Sequence, residues 1–197
     1  MEKISDQNLK SLVEAAIFSA EKPLSLVNIK QGVLANFQVT TSRLHDTILA
    51  LITEYRDRGV ELVEVASGFR FQVVKQYHQQ IVACQAEKNS KLSSALLETL
   101  ALIAYEQPIT RGEIEQIRGV SVGSHLVKTL LERQWIKTVG EKQVPGRPKL
   151  YATTKQFLDY FNLKSLAQLP ELQMKSDDTV MQPADDKEGV LIGTQNK

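Results

Sequence analysis

The chain has 197 residues and a net charge of +1, and this balance excludes a strongly basic, non-specific nucleic-acid binder. Its hydrophobic content of 42% is typical of a protein with a packed core. The single cysteine, Cys84, cannot form an intrachain disulfide and is not part of a zinc-binding pattern. The sequence shows neither a secretory signal nor the roughly 20 apolar residues that cross a membrane, so we expect a cytoplasmic protein without membrane contact.

The first part of the sequence predicts three helices. Apolar residues at helical spacing over 9–20 indicate a first helix with one buried stripe. Ser25 is a favourable N-cap for a second, short helix that runs to Leu34. A third helix is predicted to start at Thr41 or Ser42 and to end at Gly59.

The hydrophobic period then changes from that of a helix to that of a strand. Alternating apolar residues at 61–65 and 69–73 predict two strands, and Ser67-Gly68 is a turn signal between them. Three helices followed by a hairpin is the order of a winged helix. The polar segment 84–91 that follows is typical of a linker.

The second half predicts the same order of elements. Apolar residues at helical spacing over 96–104 indicate a helix. Thr110 to Glu113 is a capping-box pattern, in which the Thr hydroxyl and the Glu carboxylate each accept a hydrogen bond from a backbone N–H group. Ile114 and Ile117 lie on one face of the short helix that follows, and Gly119 ends it.

The rest of the second half predicts a third helix over 122–133, with Ser121 as its N-cap, and then a hairpin. The strands of this wing are expected at 135–139 and 150–153, with a longer loop between them. A short helix and an apolar strap over 163–172 follow, and the strap is expected to dock back on the second half.

A weak internal repeat agrees with two similar halves. Pro23-Leu24-Ser25 with Ile29 matches Pro108-Ile109-Thr110 with Ile114 at a constant offset of 85 residues. Each half is long enough for its own core.

We therefore predict an α+β, mainly helical fold with two tandem winged-helix domains and a disordered acidic C-terminal tail. The expected divisions are an N-terminal domain over 1–86, a linker over 87–92, a C-terminal domain over 93–172 and the tail over 173–197. Residues 171–197 carry six acidic and three basic side chains, which favours disorder.

Recognisable catalytic and metal-binding patterns are missing from the sequence. His45, His78 and His125 are far apart and lie near no cysteine or second metal-ligand pattern. The glycines at 119–123 join two helices, whereas a phosphate-binding loop joins a strand to a helix. We therefore expect a protein that is not an enzyme and that uses no cofactor or metal.

Several stretches of the second half carry a family resemblance. They are Leu96 to Tyr105, Gln107 to Arg111, Glu113 to Val120, Leu130 to Arg133, Val144 to Pro148, Tyr151 and Thr153-Thr154. Together they resemble the bacterial segregation and condensation protein B family. The resemblance covers residues 9–172 and is looser in the first half.

This resemblance implies a role in chromosome condensation and partition during cell division. Members of the family are tandem winged-helix proteins that form homodimers through their N-terminal domains. They bind the kleisin subunit, segregation and condensation protein A, which bridges the heads of the SMC ATPase in a condensin-like complex. The resemblance thus implies a nucleoid-associated protein that reaches the SMC ATPase indirectly, through the kleisin.

Aromatic and arginine side chains are enriched at protein interfaces because they give much contact area per residue. The candidate kleisin-binding residues are Tyr105, Arg118, Val120, Arg147 and Tyr151. Each has a structural alternative. Tyr105 and Tyr151 are also suited to the core, and Arg147 is also suited to bracing its loop.

The alternative function is a winged-helix DNA-binding transcriptional regulator. Winged helices often insert the third helix into the major groove. Basic or potentially basic side chains on that helix and on the wing are His125, Lys128, Arg133, Lys142, Arg147 and Lys149. Residues 89–170 carry 11 basic and seven acidic side chains, so the sequence predicts DNA contact that is weak or indirect.

Overall fold

The computed structural model describes residues 2–84 and 92–171, and they form a mainly helical α/β structure with two small sheets. The elements of the first half are α1 (Asp6–Ser19), α2 (Leu26–Asn28, continued by a π-turn over Ile29–Val33), α3 (Thr41–Glu54), β1 (Val60–Val65), β2 (Gly68–Val73), a 3₁₀ turn (Lys75–Tyr77) and α4 (His78–Cys84). Those of the second half are α5 (Ser94–Glu106), β3 (Ile109–Thr110), α6 (Arg111–Arg118), α7 (Ser124–Glu132), β4 (Ile136–Glu141), β5 (Lys149–Thr153), α8 (Lys155–Tyr160) and a 3₁₀ turn (Leu166–Gln168). The predicted order of three helices and a hairpin is present in both halves.

The core of the first half forms between α1 and α3. The side chains at its centre are fully buried at helical spacing: Leu9, Val13, Ile17, Leu44, Ile48 and Leu51. Burial of each Leu or Ile contributes about 1.5–3 kcal/mol relative to exposure. Polar caps start both helices, because the hydroxyls of Ser5 and Thr40 accept from the N–H groups of Asn8 and Arg43.

The sheet of the first half is the antiparallel β1–β2 hairpin, in register from Val60 opposite Val73 to Val65 opposite Gly68. Leu24 adds a bridge to Phe69, with hydrogen bonds in both directions at 2.9 Å. The segment before α2 is thereby tied to the second strand of the hairpin.

The second half has a separate core around α5, α6 and α7. Its buried side chains include Leu100, Ile103, Ile114, Val122, Leu130 and Trp135. Its sheet has the order β3-β5-β4, with both pairs antiparallel. Ile109 pairs with Tyr151 here, at the offset of 85 from Leu24, so both members of the sequence repeat pair with the second strand of their hairpin.

Three features of the second half differ from the expectation. Strand β3 was not predicted, because a strand of two residues is too short to show alternating hydrophobicity. The third helix begins at Ser124 rather than Val122, and Gly123 rather than Ser121 is its N-cap. Val122 lies outside the helix because its side chain fills the core and its N–H group donates to the Glu115 carboxylate at 2.8 Å.

In the first half, α3 ends earlier than Gly59, at Glu54. Its last turn tightens, since the N–H groups of Arg56 and Arg58 donate to the carbonyl groups of Thr53 and Tyr55. A turn rather than a further helical segment therefore leads to β1.

The predicted strap is present as far as the structure describes it. Leu163 and Leu169 are partly buried against the second core, as expected. The predicted tail over 173–197 and most of the predicted linker lie outside the described residues.

Candidate partner-binding site

Helix α6 is fixed at its start by the predicted capping box, which the structure confirms. The Thr110 hydroxyl accepts from the Glu113 N–H group, and the Glu113 carboxylate accepts from the Thr110 N–H group at 2.8 Å. Lys142, in the loop after β4, also contacts Glu113 and is the main cause that lowers its pKa to about 2. The hairpin loop is therefore tied to the first turn of α6.

At the other end of α6, Arg118 is held against α5. Its guanidinium donates to the Glu98 carboxylate at 2.8 Å and to the Thr99 hydroxyl at 3.3 Å, and only 10% of its side chain is exposed. The Nε atom is buried without a hydrogen-bond partner among the described residues. Most of the Arg118 side chain therefore packs against α5, and little of it is exposed.

Two apolar side chains project beside Arg118. Ile117 and Val120 are each 55% exposed, on either side of Gly119, which has a φ of +68° and ends the helix. The sequence pattern predicted that Ile114 and Ile117 lie on one face of α6. Of these two side chains, only Ile114 is buried. The end of α6 therefore exposes two aliphatic side chains beside an anchored arginine.

The turn that carries Val120 is braced by Glu115. Its carboxylate accepts from the Val122 N–H group, which is the main cause that lowers the pKa of Glu115, and it also pairs with Arg111. A carboxylate on α6 thereby fixes the backbone that leads into α7. Val120 is presented on a defined turn.

The other candidates lie at different places on the second half. The Tyr105 hydroxyl donates to the Pro170 carbonyl at 2.6 Å, so the ring is half-buried beneath the strap. Glu98 and Tyr105 are seven residues apart on α5, which separates Tyr105 from Arg118 by roughly 10 Å along the helix. Arg147 is exposed in the hairpin loop, where its N–H group donates to the Val144 carbonyl.

Tyr151 is part of the core of the second half. It occupies the position that Phe69 holds in the first half, since each pairs with the residue that follows the repeated proline. This is the structural alternative that the sequence left open. The structure thus brings Arg118 and Val120 together, adds the unpredicted Ile117 and places the other three candidates elsewhere.

Three of the six side chains proposed for DNA contact make contacts within the protein. Lys128 pairs with Glu132, Lys142 pairs with Glu113, and the Arg133 guanidinium lies 5.1 Å from the centre of the Trp135 ring. These contacts reduce the positive potential available to phosphate groups.

Within residues 2–84 and 92–171, no group of three or more His, Cys, Asp or Glu side chains is placed to hold a metal ion. In the same ranges, no helix combines the length and the apolar character needed to cross a membrane.

Comparison with known proteins gives one consistent family. The family described as segregation and condensation complex subunit ScpB matches residues 11–172. The segregation and condensation protein B homolog of Coxiella burnetii is 46% identical over 170 residues, which cover 86% of this chain and 81% of that protein. Segregation and condensation protein B of Geobacillus thermodenitrificans is 45% identical over 175 residues, with 86% and 80% covered.

Two solved structures are similar over most of their length. The crystal structure of ScpB from Mycobacterium tuberculosis is 27% identical and covers 82% of this chain and 99% of its own, with a TM-score of 0.40. That of a conserved hypothetical protein from Chlorobium tepidum is 35% identical and covers 80% and 98%, with a TM-score of 0.38. On the family match and the sequence identities, the chain belongs to the segregation and condensation protein B family.

Proposed function

We propose that this protein is a non-enzymatic, dimeric accessory subunit of a condensin-like SMC–kleisin complex. It acts in chromosome condensation and partition during cell division by binding the kleisin, segregation and condensation protein A. It reaches the SMC ATPase through the kleisin and is associated with the nucleoid in the cytoplasm. Family membership supports the segregation and condensation role, and the surface at the end of α6 supports partner binding.

The proposed organisation is two tandem winged-helix domains. Residues 1–86 form the dimerisation domain, 87–92 the linker and 93–172 the kleisin-binding domain. Two observations support this division: each half has its own hydrophobic core, and each has three helices followed by a hairpin. The paired bridges Leu24–Phe69 and Ile109–Tyr151 also support it, because they place equivalent segments on equivalent strands.

The single observation that carries kleisin binding is the pair of exposed side chains, Ile117 and Val120, beside the anchored Arg118. We define Ile117, Arg118 and Val120 as the α6 surface. An apolar segment of the kleisin covers the two aliphatic groups, and this burial supplies the main free energy of binding. Arg147 remains a separate candidate contact, exposed in the hairpin loop that Lys142 ties to the first turn of α6.

The test is a binding titration of the purified full-length protein with the kleisin, comparing Val120→Glu with Val27→Glu. Both valines are more than half exposed, at 55% and 57%, but Val27 lies on α2 in the first half. We expect Val120→Glu to weaken binding at least tenfold, about 1.4 kcal/mol, because it places a carboxylate in an apolar contact. Val27→Glu is expected to bind like the wild type.

Circular dichroism and light scattering on each variant check that fold and oligomeric state are retained. Equal affinity for the wild type and a folded Val120→Glu would remove the α6 surface from the site. Arg147→Glu provides a second probe, since its side chain is exposed. Arg118→Glu is less suitable because it would place a carboxylate against Glu98 and disturb α5. Tight DNA binding by the isolated protein at 150 mM salt would instead favour the regulator function.

A further inference from the structure

The two halves meet at the turn between β1 and β2. The Ala66 N–H group donates to the Leu163 carbonyl at 3.0 Å, and the Ser67 N–H group donates to the Asp159 carboxylate at 2.9 Å. The hairpin turn of the first half therefore directs two backbone donors at α8 and at the segment that follows it. Backbone N–H groups that are withdrawn from water need acceptors, and the second half supplies them for Ala66 and Ser67.

A side-chain contact lies next to these bonds. The Arg70 guanidinium, on β2, donates to the Asn162 side-chain carbonyl. Asn162 has a φ of +58°, a conformation that asparagine tolerates better than most residues, and it lies in the turn that ends α8. At the edge of the contact, Lys164 pairs with Glu64 while both side chains remain about half exposed.

Both partners in this contact are packed within their own halves. On the first half, the turn is anchored by the bridge between Leu24 and Phe69, and the Phe69 side chain is buried. On the second half, α8 buries Phe157, and the tilted ring of Tyr160 packs against Trp135 with 4.5 Å between ring centres. The contact therefore joins two packed structures rather than two loose loops.

We infer that these contacts form a clasp that sets the relative orientation of the two halves of the chain. We define the clasp as the hydrogen bonds of Ala66, Ser67 and Arg70 with Asp159, Asn162 and Leu163. The pairs join residues 92 or more apart in sequence, and they include backbone donors that need a partner. The clasp gives the α6 surface a fixed position relative to α1 and α3.

Beside the clasp, the two halves are separated by a groove. A groove of about 600 Å³ lies between the halves, lined by Lys22, Leu24, Trp135 and Lys155 as well as by clasp residues. A second groove, of about 770 Å³, is lined by residues of both halves that include Phe71, Tyr160 and Asn162. With open grooves beside them, the hydrogen bonds of the clasp are the specific contacts to which we assign the orientation. Loss of those bonds is therefore expected to release the two halves from each other.

The experiment measures the distance between one spin label on each half by pulsed electron paramagnetic resonance. Labels are attached in the full-length protein through Asp46→Cys on α3 and Lys128→Cys on α7, with Cys84→Ser removing the native thiol. Both label positions are exposed. Labelled protein is mixed with excess unlabelled protein, so that a dimer carries labels on one chain only.

The clasp predicts a single narrow distance peak for the otherwise wild-type sequence. Asp159→Ala combined with Asn162→Gly removes both side-chain acceptors, and glycine keeps the positive φ without strain. We expect this variant to lose the narrow peak and to give a broad distribution. Gln156→Ala, on the exposed part of α8, is the matched control and is expected to keep the peak.

Circular dichroism confirms that each labelled variant retains its helices. A broad distribution in the wild type would overturn the inference, and so would a narrow peak that persists in the folded double variant. A narrow peak that vanishes on dilution with unlabelled chains would show that the clasp forms between two copies, which also contradicts an intramolecular clasp. Neither kleisin nor DNA enters this experiment, so its outcome is independent of the proposed function.

Discussion

At the residue scale, Gly68 shows how tightly the hairpin turn is held. Its φ is +140°, and a Cβ atom there would lie 2.2 Å from the Leu24 carbonyl oxygen. The position therefore needs glycine for its backbone conformation and also for the approach of a second chain segment. The turn that carries Ala66 and Ser67 thereby depends on the glycine that follows it.

Replacement of this glycine tests the turn. Gly68→Ala is expected to lower the free energy of unfolding by at least about 2 kcal/mol, because it strains the backbone and breaks the bridge between Leu24 and Phe69. Urea unfolding followed by circular dichroism measures the change. Gly140→Ala is the control, since a Cβ atom there meets nothing within 4 Å. Equal effects of the two substitutions would contradict this account of the turn.

At the scale of an element, α6 depends on the charge of its capping box. The contacts of Glu113 with Lys142 and Thr110 hold the pKa of this carboxyl at about 2 in the folded protein, against 4.5 ordinarily. Because folding lowers the pKa of Glu113, its ionised carboxylate stabilises the folded protein at pH values above the ordinary pKa of 4.5. That stability is lost as the pH falls from about 4.5 towards 2.

The pH dependence of unfolding checks this contribution. Trp135 is the only tryptophan of the chain and is buried in the second half, so its fluorescence reports unfolding there. The free energy of unfolding is expected to fall more steeply below pH 4.5 in the wild type than in Glu113→Gln, with a difference of about 1 kcal/mol at neutral pH. Parallel pH profiles for the two proteins would show that Glu113 does not have this role.

At the scale of the whole molecule, the two proposed interfaces are separable. Phe18, on α1, is 77% exposed, and its ring lies edge-on to that of Phe71 on β2. A large aromatic side chain this exposed on the first half is a favourable centre for the proposed dimer contact. The α6 surface lies on the second half, so each interface can be altered without the other.

Two matched substitutions separate dimerisation from kleisin binding. Phe18→Asp is expected to weaken the dimer at least tenfold while kleisin affinity is retained, because it places a charge in an aromatic contact. Ile117→Asp is expected to do the reverse. Light scattering gives the oligomeric state, and titration with the kleisin gives the affinity. A dimer that survives Phe18→Asp would move the dimer contact away from α1.

Local patterns in the sequence predicted much of this molecule. The capping box at Thr110 and Glu113, the helix end at Gly119 and the hairpin turn beside Gly68 each depend on a few neighbouring residues, so their signals are readable in one short stretch. The repeat at an offset of 85 likewise recurs as paired bridges to β2 and β5.

Contacts between distant segments account for what the sequence did not show. Val122 lies outside the third helix because its N–H group donates to Glu115 and its side chain packs in the core. The Arg118 side chain is only 10% exposed because it packs against another helix, where its partners Glu98 and Thr99 lie. The clasp joins residues 92 or more apart. No local pattern encodes such pairings, because their free energy arises only when both segments have folded and their polar groups are withdrawn from water.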